Sequence, residues 1–159
     1  SILLTVRDGL YGWTSERVAR KQAAIGRPTY VYLFDHGYPA MEAVGLHAFH
    51  ASELPYVFGT FDGTPPRWPK VPDSDRGLSD AMIGYWTSFA AKGNPGGKGL
   101  PAWPAFKPDR QMVMKFESTG AGADTDFYAR HQCKFWAEQG FSSLSGPYPT
   151  PTASGPVYQ

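Results

Sequence analysis

The sequence has one cysteine, almost no net charge and no long apolar run, and each of these shortages argues against a class of structure or partner. Cys133 alone cannot form an intrachain disulfide, which suits a reducing compartment but equally a piece of a protein whose other cysteines lie elsewhere. Fifteen basic residues against 14 acidic ones give a net charge of +1, which argues against a nucleic-acid partner. No run reaches the roughly 18 apolar residues of a membrane span. Localisation stays open, and secretion or a periplasmic location is included, because any targeting signal would lie in a part of the protein that precedes this sequence.

A serine nucleophile is also missing. The strand-turn-helix elbow of a serine hydrolase carries G-x-S-x-G, and the nearest match is GLSDA at residues 77–81, with alanine in the last place. Residues 70–76 before it are polar and contain proline, so they cannot form the buried strand that an elbow needs. Ser79 is therefore predicted to be a helix-start serine. The glycine-rich stretch 93–99 lacks the spacing and the Lys-Ser/Thr pair of a phosphate-binding loop.

The chain does contain enough apolar and aromatic area for one core, with 159 residues of which 15% are aromatic. The pattern predicts a helix from Thr14 to about Gly26. A strand follows over 29–34 (TYVYLF), and its lack of polar alternation favours burial on both faces. Residues 35–77 form a long loop rich in glycine and proline, and long loops in compact domains are usually functional.

The second half of the chain predicts a helix over 78–91, stopped by the glycines from 93 onward. A more exposed strand over 111–116 and a turn at 120–124 come next. The last predicted helix covers 125–139 and buries four side chains: Phe127, Tyr128, His131 and Phe135.

A Ser/Pro/Gly-rich tail, residues 142–159, ends the sequence. The preceding 141 residues supply only two predicted strands, although a strand buried on both faces needs neighbours on both edges. We therefore predict an α/β fold with an incomplete sheet, which another part or chain of the protein completes.

Four histidines are candidates for chemistry. His131 lies on the apolar stripe of the last predicted helix, which indicates a core histidine. His36 directly follows the first strand, where a turn or capping role is favoured over catalysis. His47 and His50 form an H-x-x-H pair, but no cysteine or third carboxylate has the spacing of a structural metal site. The sequence therefore predicts no metal and no other cofactor.

His50 lies in the loop beyond a predicted buried strand, which is where hydrolases place a proton shuttle. A general base is one interpretation of His50. The other is a loop histidine whose ring packs among Phe49, Leu54 and Tyr56. Spacing alone leaves both open.

Residues 48–59 (AFHASELPYVFG) resemble the histidine segment of the type-B carboxylesterase family, which includes the cholinesterases and bacterial para-nitrobenzyl esterases. Further pieces match in the same order. TYVYLFDH at 29–36 is similar to the family strand before that loop, and 82–95 is similar to its Trp-Phe-Ala helix with a Gly-x-Pro stop. LPAWPAF and CKFW are similar to its late Trp-Pro segment and final helix. The resemblance covers residues 8 to 138.

The resemblance implies that residues 1–141 are the C-terminal portion of an α/β-hydrolase domain. It places His50 on the family's catalytic histidine, which takes the proton of a serine hydroxyl and returns it to the leaving alcohol. The serine, the oxyanion-hole glycines and the triad acid would then lie in an N-terminal part of the same enzyme. That part and a small-molecule ester are the expected partners. Ala51 stands where many members have glycine.

Two other classes of function compete with the esterase. A non-catalytic cholinesterase-like domain for adhesion or protein binding could keep His50 and lose the serine, and the upstream sequence would decide this. A free-standing small binding domain is the other, and cooperative unfolding of a stable 17.5 kDa monomer would favour it.

Overall fold

The computed structural model describes residues 2–63 and 70–139, so the predicted tail at 142–159 lies outside the described residues. The chain divides into two compact units. One comprises the residues up to 16 and those from 128 onward, and the other comprises residues 17–127.

The larger unit contains a mixed three-stranded sheet in the order β1 (Tyr32–Phe34), β2 (Val113–Glu117) and β3 (Gly120–Asp124). β1 and β2 are parallel, with Phe34 beside Phe116, and β2 and β3 form an antiparallel hairpin. The described residues therefore form a mixed α/β structure with a small sheet, and the predicted α/β class is confirmed at that level.

Three predictions about the strands were wrong. β2 was expected to be exposed, yet it is the central strand because it pairs on both sides, and Met114 and Phe116 are fully buried. Residues 120–124 were expected to form a turn, yet they pair along β2, so the turn is the two residues before them. Burial of β1 on both faces is not observed, since Tyr32 is 38% exposed at the edge of the sheet.

One long helix, α5 (Arg76–Lys92), packs against this sheet and ends at Gly93, as predicted. Gly93 adopts φ +69°, the left-handed conformation that glycine takes at low cost after a helix. The core consists of aromatic and apolar side chains: Tyr38, Met41, Tyr56, Phe61, Val71, Met82, Tyr85, Trp103, Met114 and Phe116.

The predicted loop between β1 and α5 contains short helices. They are α3 (Pro39–Glu42), α4 (Leu54–Phe58) and two 3₁₀ turns, Phe61–Gly63 and Asp73–Asp75. Prolines at the first turns of α3 and α4 and Gly59 after α4 explain where these helices begin and end.

The helix predicted from Thr14 begins earlier. α1 (Ile2–Val6), a π-helical stretch (Arg7–Gly12) and α2 (Trp13–Ala24) follow one another directly. Thr14 is therefore inside a helix, where its hydroxyl donates to the carbonyl oxygens of Leu10 and Tyr11 instead of capping an end.

The last predicted helix is broken into α6 (Phe127–Arg130) and α7 (Cys133–Glu138). Gln132, at φ +50°, lies between them and interrupts the helical repeat. The break shifts the apolar face, so Cys133 is buried while Phe135 is 46% exposed, contrary to the prediction. Among the described residues, no helix has the length and hydropathy to cross a membrane.

Candidate active site

His50 lies at the tip of a tight turn formed by residues 49–52. The Ser52 amide donates to the Phe49 carbonyl oxygen at 3.0 Å, and the Phe49 amide donates to Ser52 Oγ at 3.2 Å. These reciprocal bonds close the turn from both sides. His50 is exposed to solvent, whereas Ser52 is only 4% exposed. His50 is thus accessible at this surface, and both interpretations of its role stay predictions.

Ala51 gives this turn its shape. Its φ is +67°, in the left-handed region that alanine rarely adopts, and a positive φ at the third position is typical of a type II turn. Non-glycine residues in this region cost about 1–2 kcal/mol. Strained backbone of this kind is enriched at functional sites, where the surrounding structure holds it in place.

The turn continues without interruption into α4. The Leu54 amide donates to the Ala51 carbonyl oxygen at 3.2 Å, and the Tyr56 amide donates to that of Glu53 at 3.0 Å. Tyr56 is fully buried against α5, where Ser79 Oγ donates to the Tyr56 carbonyl oxygen at 2.8 Å. Ser79 is thus a buried serine in the first turn of α5, which confirms its predicted structural role.

A largely buried carboxylate, Asp75, contacts α4. The Tyr56 hydroxyl donates to Asp75 Oδ2 at 2.7 Å, and His36 Nε2 lies 2.7 Å from the same oxygen. His36 is 6% exposed and the Asp75 side chain 12% exposed. The predicted turn or capping role of His36 was wrong, because its imidazole is an interior partner of a carboxylate.

The phenol of Tyr56 stays protonated in this setting. Burial raises the pKa of Tyr56 far above its ordinary value, and the hydrogen bond to Asp75 and its negative charge raise it further. The group therefore acts as a permanent hydrogen-bond donor to the carboxylate. No sequence motif predicts this cluster, because its three members lie 19 to 39 residues apart.

His47, the first histidine of the H-x-x-H pair, pairs with a carboxylate. His47 Nδ1 lies 2.6 Å from Glu42 Oε2 at the surface. Within residues 2–63 and 70–139, no three side chains of His, Cys, Asp or Glu come together as a metal-binding group.

The smaller unit contains the remaining histidine. His131 is 7% exposed, and its Nδ1 lies 2.7 Å from Asp8 Oδ1, which confirms the predicted core histidine. Burial tends to raise the pKa of Asp8, but hydrogen bonds from Arg7 and His131 outweigh it and hold that pKa below its ordinary value.

Cys133 is buried and unpaired with any other cysteine. Burial, with the neighbouring Glu16 carboxylate, raises the pKa of the Cys133 thiol to about 12. A thiol with that pKa carries almost no thiolate at neutral pH, so it cannot act as a nucleophile.

Comparison with known proteins now identifies the family. The model of the Carboxylesterase family matches residues 2–136. The chain belongs to the carboxylesterase family. Human cocaine esterase is 33% identical over 69% of the chain, and mouse Carboxylesterase 3B is 36% identical over 71% of it. The resemblance predicted from residues 8–138 is therefore confirmed.

Solved carboxylesterases share the fold of the matched region. The Geobacillus stearothermophilus carboxylesterase EST55 superposes with a TM-score of 0.58 at 32% identity, over 73% of this chain. The chain spans about a fifth of the curated relatives, 19% of the human enzyme and 20% of the mouse enzyme. The assignment of His50 as the family's catalytic residue stays a prediction.

Proposed function

We propose that this chain supplies the catalytic histidine, His50, to a serine carboxylesterase. Residues 1–141 would be the C-terminal portion of an α/β-hydrolase domain, followed by the tail at 142–159. The serine and the triad acid would lie in an N-terminal part of the same enzyme. The observation that carries the proposal is an exposed histidine on a hydrogen-bonded turn, in a chain of the carboxylesterase family.

The sheet supports the need for a further part. Among the described residues, β1 pairs with β2 on one edge only, and Tyr32 is 38% exposed there. An edge strand leaves backbone N–H and C=O groups available for pairing. A strand from the N-terminal part could extend the sheet at this edge, and His50 follows β1 in the chain by 16 residues.

The proposed reaction requires the imidazole of His50 to lie beside a serine hydroxyl. His50 would take the proton as serine Oγ attacks the ester carbonyl carbon, and would give it to the leaving alcohol as the C–O bond breaks. In the second half, His50 would take a proton from the water that attacks the acyl-enzyme. Release of the carboxylic acid returns that proton to the serine. The triad acid would hold the imidazole in the required tautomer.

The test compares two exposed histidines in the complete esterase that contains this chain. His50→Ala is expected to lower kcat for para-nitrophenyl ester hydrolysis by about 10⁴-fold or more, and to slow covalent labelling of the serine by an organophosphonate. His47→Ala is the matched control, since it removes an exposed imidazole of the same loop that pairs with Glu42. It should retain activity within about twofold.

Two results would contradict the proposal. If His50→Ala kept the activity of the unmodified enzyme, His50 would not be the base. If the complete protein neither hydrolysed esters nor reacted with the phosphonate, the non-catalytic binding domain would be the better description.

A further inference from the structure

We propose that Asp75 is a positioning residue for His50, acting through Tyr56 and helix α4. This inference rests on the proposed function, because it concerns where the imidazole of His50 is held. Asp75 does not touch the proposed reacting atoms.

Three parts of the chain converge on the carboxylate of Asp75. His36 follows β1, Tyr56 belongs to α4, and Asp75 ends the 3₁₀ turn that leads into α5. Both partners approach Asp75 Oδ2 at 2.7 Å, and both are buried. Hydrogen bonds to a carboxylate are about twice as strong as neutral ones, and a low dielectric strengthens them further. Asp75 therefore fixes α4 relative to the end of β1 and the start of α5.

Helix α4 is too short to be stable by itself. It has five residues, and isolated helices below about 12–15 residues are marginal in water. Its position must therefore come from tertiary contacts. The polar ones are the Tyr56 hydroxyl to Asp75 and Ser79 Oγ to the Tyr56 carbonyl oxygen. Asp75 and Ser79 thus both hold α4 at Tyr56. Asp75 binds its hydroxyl group, and Ser79 binds its backbone carbonyl oxygen.

Helix α4 is joined directly to the turn that carries His50. The bonds from Leu54 to Ala51 and from Ser52 to Phe49 join α4 directly to the His50 turn, with Glu53 as the one residue between turn and helix. A displacement of α4 is therefore transmitted to His50. Misplacement of a catalytic group by about 1 Å can cost about 100-fold in rate, so a partial loosening is expected to cost roughly tenfold.

The experiment compares two buried tyrosines in the complete esterase. Tyr56→Phe removes the hydroxyl bond to Asp75 and keeps the ring. Tyr85→Phe is the matched control, because Tyr85 is equally buried at 0% exposure and its hydroxyl donates to the Pro101 carbonyl oxygen at 2.8 Å. Rates are measured well below the unfolding temperature of both variants. Tyr56→Phe should lower kcat roughly tenfold with KM within twofold, and Tyr85→Phe should change neither by more than twofold.

Equal kcat values for the two variants, or a loss confined to KM, would overturn the proposal. If Tyr56→Phe does not accumulate as folded protein, Asp75→Asn serves in its place. It keeps an oxygen acceptor and loses the charge, and a kcat equal to that of Tyr85→Phe would again overturn the proposal. His50→Ala separates the two ideas. Full activity of His50→Ala refutes the esterase role of His50, whereas inactive His50→Ala with fully active Tyr56→Phe refutes only the positioning role.

Discussion

Replacement of Ala51 by glycine tests whether the His50 turn is strained. Ala51 adopts φ +67°, which costs a residue with a Cβ about 1–2 kcal/mol and costs glycine almost nothing. Two effects offset part of this gain in stability. Glycine gives the unfolded chain more conformational entropy, which costs about 0.5–1 kcal/mol on folding, and it removes a half-buried methyl group. We expect Ala51→Gly to raise the free energy of unfolding by about 0.5 kcal/mol.

A matched alanine isolates the backbone contribution. Ala43, at the end of α3, has φ −60° and ψ −25°, so Ala43→Gly relieves no strain and should destabilise by about 0.5–1 kcal/mol. Both changes delete one methyl group and free the unfolded chain equally. Their difference therefore approximates the left-handed strain itself, about 1–2 kcal/mol.

Urea unfolding followed by tryptophan fluorescence measures this difference. With a slope of about 2 kcal/mol/M, the two midpoints should differ by about 0.5–1 M, Ala51→Gly being the higher. Equal losses of stability in Ala51→Gly and Ala43→Gly would refute the argument, because the turn would then store no strain that glycine can relieve.

Two further predictions concern the smaller unit. The pKa of Asp8 is lowered in the folded state, so its contribution to stability is present above the unfolded value of about 3.8 and is lost as the pH falls through the folded value. The difference in urea midpoint between the unmodified chain and Asp8→Asn should therefore shrink between pH 6 and pH 3, and a constant difference would contradict this. With a Cys133 pKa of about 12, alkylation by iodoacetamide at pH 8 should be about a thousandfold slower in the folded chain than in urea. Comparable rates would show that the thiol is not held in a buried, acid-flanked position.

The features that sequence predicted well are set by neighbouring residues. The end of α5 at Gly93 depends on local backbone geometry, and the inert Ser79 depends on the polar stretch before it. Family membership was predictable because several short segments match in a fixed order, although none is specific alone.

The features that sequence missed depend on distant residues. The central place of β2 results from pairing with β1, some 80 residues earlier, and β3 has a Gly-Ala sequence with little strand propensity of its own. The site of Asp75 was missed for the same reason. Its partners come from elsewhere in the chain: His36 follows β1, and Tyr56 belongs to α4. The local sequence pattern predicts only a turn or capping role for His36 and a loop around Tyr56.

In the part of the chain that the structure describes, the outer edge of β1 is unpaired, and this has a practical consequence for production of the separate chain. An unpaired strand edge favours pairing with other chains, and Phe89 of α5, at 48% exposure, adds exposed apolar surface. Self-association of the separate chain should therefore rise with protein concentration. If the proposed N-terminal part pairs with this edge, its synthesis together with the chain should reduce the self-association.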